Sequence, residues 1–189
     1  MSHPLEKFKF CPVCGSNLFR EDSEKSNRCG ECGFEFFMNP SAAAVAFIRN
    51  AEGRLLVTVR NREPAKGTLD LPGGFSDIGE TSEESVCREV KEETGLTVSR
   101  ARLLFSLPNR YLYSGIIIPT LDFFYECEVE DATIASAADD VAECIWMKLE
   151  DIRPEQFGLD SIREGVIRYL HITRLPFHDS DLPSSSSFL

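Results

Sequence analysis

The chain predicts an α/β fold of strands and two long helices, preceded by a small four-cysteine module. Three observations carry this. Apolar residues recur with helical spacing over residues 82–94 and again over 159–173. Alternating apolar and polar residues mark strands around these helices, the longest over 120–130. Near the start stand two Cys-x2-Cys pairs, Cys11/Cys14 and Cys29/Cys32.

A chain of 189 residues has room for one substantial core and a small extra module. Its net charge of -11 argues against broad, non-specific binding to nucleic acid or anionic membrane. It also means that a polyanionic substrate needs local cations. No apolar run approaches the length of a membrane span. The opening MSHPLEKFKF lacks the apolar stretch of a signal peptide, so a cytoplasmic protein is expected.

Residues 1–40 read as a zinc ribbon. Each Cys-x2-Cys pair is followed by glycine, as Cys14-Gly15 and Cys32-Gly33, which lets the chain turn beneath a bound ion. Four thiolates fill a tetrahedral shell, so the zinc is structural and keeps no open position. Apolar mass is scarce here, and the metal must supply much of the folding energy. A redox pair or four free buried thiols are the alternatives. Acidic and basic residues are mixed through the module, which shows no basic footprint for nucleic acid.

Residues 41–178 read as the main domain. Ala42 to Arg49 is a buried strand of small residues, Asn50-Ala51-Glu52-Gly53 a hairpin turn, and Arg54 to Arg60 an alternating strand with Leu55, Val57 and Val59 on one face. Arg60, Arg62 and Lys66 follow, either as a solvated loop or as contacts to a phosphate. Pro72-Gly73-Gly74 is a turn in which the backbone can approach a ligand closely. The helix from about Ser82 to Thr94 has Thr81 or Ser82 as N-cap, Glu84 or Ser85 near the capping-box position and Gly95 as left-handed C-cap. Val86, Val90 and Cys87 share its apolar face. Glu89, Glu92 and Glu93 fall in a neighbouring wedge of about 100°. Three like charges this close repel unless a cation lies among them; the alternative is a solvated acidic face.

Downstream, Thr97 to Phe105 is extended and Ser106 to Ser114 reads SLPNRYLYS. Tyr111 and Tyr113 either stack on a base or form an aromatic pair on a half-buried strand. Ile116 to Ile118 is strand core. Thr120 to Glu130 alternates, with Leu121, Phe123, Tyr125 and Cys127 on one face. An acidic loop, Asp131 to Asp140, precedes a strand from Val141 to Lys148. The second helix buries Ile162, Val166, Ile167 and Leu170. Cys87, Cys127 and Cys144 are small core residues, and His3, His171 and His178 form no ligand pattern. The serine-rich tail, residues 179–189, is expected to be disordered.

Gly74, five residues, Glu80, seven residues and then Arg88-Glu89-Val90-Lys91-Glu92-Glu93-Thr94-Gly95-Leu96 match the Nudix box at every fixed position. The chain therefore resembles the Nudix (MutT-like) hydrolases. The resemblance implies an α/β/α sandwich with a mixed sheet and a pyrophosphohydrolase cleaving a nucleoside diphosphate linked to another moiety. Gly74, Glu80, Arg88, Glu89, Glu92 and Glu93 then form the catalytic set. Glu89, Glu92 and Glu93 hold Mg²⁺ or Mn²⁺, the ions that suit all-oxygen ligands. Glu80 and Arg88 position them. The family often places an extra carboxylate before a tryptophan-containing strand, which makes Asp139, Asp140 and Glu143 candidates.

An N-terminal four-cysteine ribbon and a downstream SQPWPFPxS motif also mark the NADH pyrophosphatases of the family. Ser106, Pro108 and Ser114 match that motif, and Tyr111 replaces its phenylalanine. Leu107, Asn109, Arg110 and Leu112 depart from it. A tyrosine at about the distance of Tyr113 also occurs in diadenosine-polyphosphate hydrolases. Substrate-binding candidates are Arg60, Arg110, Tyr111 and Tyr113. The implied partners are a small nucleotide, NADH- or NAD-like or ADP-ribose, and a second copy in a homodimer. Two other readings are a non-catalytic sensor of ADP-ribose-like ligands and an enzyme that processes nucleotide-capped RNA ends.

Overall fold

The structure is a computed structural model and describes residues 3–174. The expected tail at 179–189 and His178 lie outside the described residues.

The N-terminal module is a three-stranded antiparallel sheet of β1 (Phe19–Ser23), β2 (Ser26–Cys29) and β3 (Glu35–Phe37), in that order. Cys11 and Cys29 are buried and pack with Phe19, while Phe8, Phe34 and Phe36 cover them in part. Three buried residues make a very small core, as the scarcity of apolar residues led one to expect.

The main domain is built on a mixed sheet. Strands β4 (Ser41–Ile48), β7 (Gly73–Phe75), β8 (Val98–Tyr113) and β9 (Ile116–Val129) are ordered β7-β4-β9-β8. β4 and β9 pair in parallel and the other neighbours antiparallel. A second sheet, ordered β10-β5-β6, holds β5 (Leu55–Arg60), β6 (Leu69–Asp70) and β10 (Val141–Met147). The turn between β4 and β5 is closed by the Gly53 N–H on the Asn50 carbonyl at 2.9 Å. Asn50 Oδ1 accepts from the Glu52 and Arg54 amides there, as asparagine does in turns.

Helices α1 (Ser82–Thr94) and α2 (Asp160–Arg174) cover opposite faces. Side chains alternate along the strands, so each strand feeds both cores. Ala44, Ala46, Ile48, Leu56, Tyr125 and Cys127 meet Val86 and Val90 of α1. Val45, Phe47, Leu55, Val57 and Phe124 meet Ile162, Val166, Tyr169 and Leu170 of α2. Burying each of the Val, Leu, Ile and Phe side chains among them contributes about 1.5–3 kcal/mol. This is the expected α/β/α sandwich. Burial pushes the Cys127 thiol up to about 12 and the Cys144 thiol up to about 11, which suits packing residues rather than nucleophiles.

Two expectations about burial are corrected. Ile117, expected in the strand core, is exposed close to the hairpin turn. Ile167 is exposed, and Tyr169 takes the buried place. On the helical wheel Ile167 lies about 100° from Val166, past the edge of the stripe. The stretch up to Phe105 is extended as expected, a strand from Val98, and it continues without a break into the SLPNRYLYS segment, so residues 98–113 form one long strand. It pairs with β9 through a two-residue turn at Ser114-Gly115, both with positive φ (49° and 74°), the conformation a tight hairpin requires. Pro108 is tolerated because β8 is the sheet's edge strand. β4 pairing starts only at Thr120, so Pro119 likewise faces no partner on that side. The hairpin tip reaches the N-terminal module, where Lys7 Nζ donates to the Gly115 carbonyl.

Candidate functional site

The ends of β4, β5, β7, β8 and β9 and the acidic face of α1 enclose a cleft of about 390 Å³. That is the scale of a small-molecule site. Its lining includes Gly73, Gly74, Arg88, Glu89, Glu92, Glu93, Asp139 and Asp140 on one side, and Asn109, Tyr111, Thr120 and Asp122 on the other.

The acidic side is shaped by a helix with fixed ends. Thr81 Oγ1 accepts the Glu84 amide at 3.2 Å, and Glu84 Oε2 accepts the Thr81 amide at 2.8 Å, a complete capping box. Gly95 closes the other end at φ 72°. Between them Val86 and Val90 bury their apolar face, which turns Glu89, Glu92 and Glu93 toward the glycine turn. The turn itself has no room for side chains. A Cβ on Gly73 would lie 2.2 Å from the Ala44 carbonyl oxygen, and one on Gly74 2.7 Å from the Glu89 carboxylate carbon. Glycine is thus required at Gly73 for the strand to sit against the β4 backbone, whereas a side chain at Gly74 would push the Glu89 carboxylate aside.

Arg88 organises the carboxylates. Its Nε and Nη2 donate to Glu80 at 2.7 and 2.9 Å, a bidentate pair. Nη1 donates to Glu89 at 2.7 Å and to Glu92 at 3.0 Å, and Nη2 also reaches the Phe75 carbonyl at 3.0 Å. The Arg88 hydrogen bonds bring the Glu80 carboxyl down to about 2. Glu93 lies deeper, 8% exposed, and accepts the Gly73 amide at 2.9 Å. Burial pushes its carboxyl up to about 8; the Gly73 N–H opposes this, and the charges of Asp70, Glu89 and Asp140 add to it. Burial also raises Glu89, against Arg88.

This arrangement fits a divalent cation. The donors are carboxylate oxygens, and neither acid is at ease as an anion without more positive charge than Arg88 supplies. Asp139 and Asp140 bring two further carboxylates to the cleft. Arg62 pairs with them at 3.7 and 2.5 Å. Asp139 has φ 50°, an uncommon conformation for a non-glycine residue. Glu143 is exposed on β10 and outside the cleft lining.

The four substrate-binding candidates separate. Tyr111 lines the cleft and meets the Phe75 ring edge-on at 5.4 Å. Arg60 lines it too but is engaged: Nη1 with Asp70, Nε with the Pro64 carbonyl at 2.8 Å and Nη2 with the Tyr111 hydroxyl at 3.4 Å. Arg110 lies on the opposite face of β8, as period two dictates, beside a groove against the N-terminal module. Tyr113 is exposed near the hairpin tip. Sequence reasoning missed Asp70 and Asp122, both buried beside the cleft. The signal in the sequence was an acid flanked by apolar neighbours, Asp70 between Leu69 and Leu71 and Asp122 between Leu121 and Phe123.

In the N-terminal module, Cys11 and Cys32 sulfurs are 3.7 Å apart and those of Cys14 and Cys29 3.6 Å, with all four ligand atoms within 4.8 Å of one another. Tetrahedral zinc–thiolate bonds of about 2.3 Å imply sulfur separations of roughly 3.8 Å, so the cysteines fit that ion. The Cys32 amide points at the Cys29 sulfur at 3.5 Å. Gly15 and Gly33, at φ 73° and 76°, make the two matching turns. Both turns close on the first cysteine of their pair, with amide-to-carbonyl distances of 2.9 and 3.0 Å.

Comparison with known proteins agrees with this geometry. The NUDIX domain family model matches residues 38–170. The NAD-capped RNA hydrolase NudC of Haemophilus influenzae is 26% identical over 174 residues, covering 92% of this chain and 62% of that protein. NudC of Vibrio atlanticus is 32% identical over 106 residues, 56% of this chain and 39% of the relative. The chain spans about three fifths or less of the length of these relatives. A NUDIX hydrolase from Nitrosomonas europaea superposes with a TM-score of 0.67 at 21% identity, covering 90% of this chain and 96% of that one.

Proposed function

The chain belongs to the Nudix family, and from that premise we propose that its cleft hydrolyses a nucleoside diphosphate linked to a further moiety, NAD-like dinucleotides first among them. The observation that carries this is the convergence of Glu89, Glu92, Glu93, Asp139 and Asp140 on one cleft beside a side-chain-free glycine turn. The names of the curated relatives support the NAD-like class.

Glu89, Glu92 and Glu93 hold Mg²⁺ or Mn²⁺ in this reading. When bound, such an ion neutralises charge on phosphate oxygens and makes water a better nucleophile. Phosphoryl transfer asks the protein mainly for positioning and charge stabilisation. Arg88 and Glu80 keep Glu89 and Glu92 in place. The bare backbone of Gly73 and Gly74 leaves space for the diphosphate. Asp139 or Asp140 takes the proton that the attacking water gives up. Tyr111 covers a base, with Arg60 holding its hydroxyl. The four cysteines hold zinc as a structural ion, residues 1–40 and 41–178 are separate units, and a homodimer remains part of the proposal.

Phosphate release after phosphatase coupling, with Mg²⁺ or Mn²⁺, tests this on NADH, NAD, ADP-ribose, diadenosine polyphosphates and nucleoside triphosphates. NAD-capped RNA belongs in the panel because the relatives carry that activity in their names. Cleavage of NAD-like dinucleotides is expected. Metal and ligand binding without turnover on any of them would favour a sensor.

A further inference from the structure

Asp122 on β9 is 4% exposed and lines the cleft, yet the chemistry above gives it no task. Its carboxylate accepts the Thr120 hydroxyl at 2.5 Å, the Ser161 hydroxyl at 2.6 Å and the Asn109 side-chain amide at 3.2 Å. All three donors are neutral. Asp70, the other buried aspartate of the cleft, is ion-paired to Arg60. A buried carboxylate usually has such a cation. An ionised carboxylate offers about four lone-pair sites, so three donors leave one acceptor free on a side chain that borders the cleft.

Ser161 is in the first turn of α2, so one of these bonds fastens that helix to the sheet. The other two come from Thr120 and Asn109, which themselves line the cleft. Along the α2-facing side of β9 the core residue Phe124 gives way to Asp122 and Thr120. On β8, Leu107 likewise gives way to Asn109 and Tyr111. The polar cluster therefore marks where the apolar core opens into the cleft.

Its surroundings suit a flat ring. Tyr111, Leu159 and Ile162 line the same cleft, and the Phe75 edge and Arg60 fix the Tyr111 ring. In the sheet Ala43 pairs with Phe75 on one side and Asp122 on the other. Asp122 thus lies two strands from the glycine turn, about 10 Å at usual strand spacing. A bare carboxylate there repels phosphate and attracts a hydrogen-bond donor.

We propose that Asp122, framed by Thr120, Asn109 and Ser161, is a base-recognition group. It accepts a hydrogen bond from the –NH₂ of a planar base covered by Tyr111, Leu159 and Ile162. The amine of adenine and the carboxamide of nicotinamide share this chemistry. The direction in which the substrate lies rests on the hydrolase reading; the hydrogen bond does not.

The test uses full-length protein and mononucleotides that have no diphosphate to cleave. AMP is compared with IMP, and nicotinamide mononucleotide with nicotinic acid mononucleotide, by calorimetry with Mg²⁺. In one pair the –NH₂ member should bind about 10- to 100-fold more tightly, the range for a hydrogen bond to a charged group. Which pair responds tells adenine from nicotinamide. Asp122→Asn should bring that ratio near one, and Thr120→Val, which lets the carboxylate turn, should reduce it; thermal melts check that both fold. Equal binding within both pairs by the wild type, no binding of any, or a ratio unchanged in a folded Asp122→Asn protein would overturn the proposal. Dinucleotide turnover is measured separately. Selective binding without turnover would sink the hydrolase reading and leave this one standing.

Discussion

Glu93→Gln separates the chemistry of the acidic cleft from its stability. In the metal-free protein the Glu93 carboxyl titrates at about 8, because it is buried. Unfolded, it returns to its ordinary value of 4.5. Between those values the folded state keeps a proton that the unfolded state releases. The contribution to stability is thus full at low pH and is lost as pH rises through about 8. The slope is about 1.4 kcal/mol per pH unit, or about 2 kcal/mol between pH 6 and 7.5. For a chain of this size that is roughly 4–8 °C in Tm. Glutamine has no such proton, yet its side-chain oxygen can still accept the Gly73 amide, now 2.9 Å from Glu93 Oε2. Thermal melts in EDTA should therefore show a wild-type Tm that falls with pH relative to the variant. Added Mg²⁺ or Mn²⁺ should flatten the wild-type slope, because the cation stabilises the anion. Turnover of the variant should drop by about 100-fold or more, since several kcal/mol of charge stabilisation are lost. Parallel melting profiles would refute the burial argument, and unchanged turnover would refute the assignment of the metal to Glu93.

Gly74→Ala should leave the fold near its wild-type Tm but displace the Glu89 carboxylate, whose carbon stands 2.7 Å from the added methyl position. Metal titration calorimetry should show weaker binding, and wild-type affinity would argue against the role of the turn. Arg88→Lys loses the bidentate contact to Glu80 and cannot also span Glu89 and Glu92. A destabilisation of about 1–3 kcal/mol is expected in denaturant melts, with activity lost as well; a variant as stable and active as wild type contradicts the hub. Stripping zinc with a strong chelator should abolish hydrogen-exchange protection in β1–β3 while β4–β10 keep theirs, because only the small sheet depends on the thiolates. Uniform protection in both states would show that the ribbon holds itself together.

What could be read from the sequence was local. The ends of α1 were legible because Thr81, Glu84 and Gly95 sit within a few residues of the groups they cap. The two cysteine turns were legible for the same reason. The extent of β8 was not. Its two irregularities, near Arg100 and Leu104, break the alternation, and Pro108 reads as a strand breaker until the strand is known to be an edge. Tyr111 and Tyr113 looked equivalent, but only the first reaches the cleft. Asp122 was invisible as a site residue because one of its partners, Ser161, lies 39 positions away on another element. Arg60 looked available for phosphate because its partner Asp70 arrives from a separate strand. Such pairings belong to the tertiary fold, where local pattern carries no information.

The parallel pairing of β4 with β9 also sets the order in which the molecule can assemble. The two strands are separated by roughly 80 residues of chain, a loop whose entropy must be overcome before the contact gives anything back. Helix α1 and the glycine turn lie inside that loop, so their carboxylates are brought against β4 and β9 only when it closes. The small N-terminal sheet closes over short distances and is free to form first. Refolding should then show early protection in β1–β3 with zinc present, and Mg²⁺ should leave the rate-limiting step unchanged because the site proposed for it appears after that step. A refolding rate that rises with Mg²⁺ would place the acidic cleft among the first structures to form.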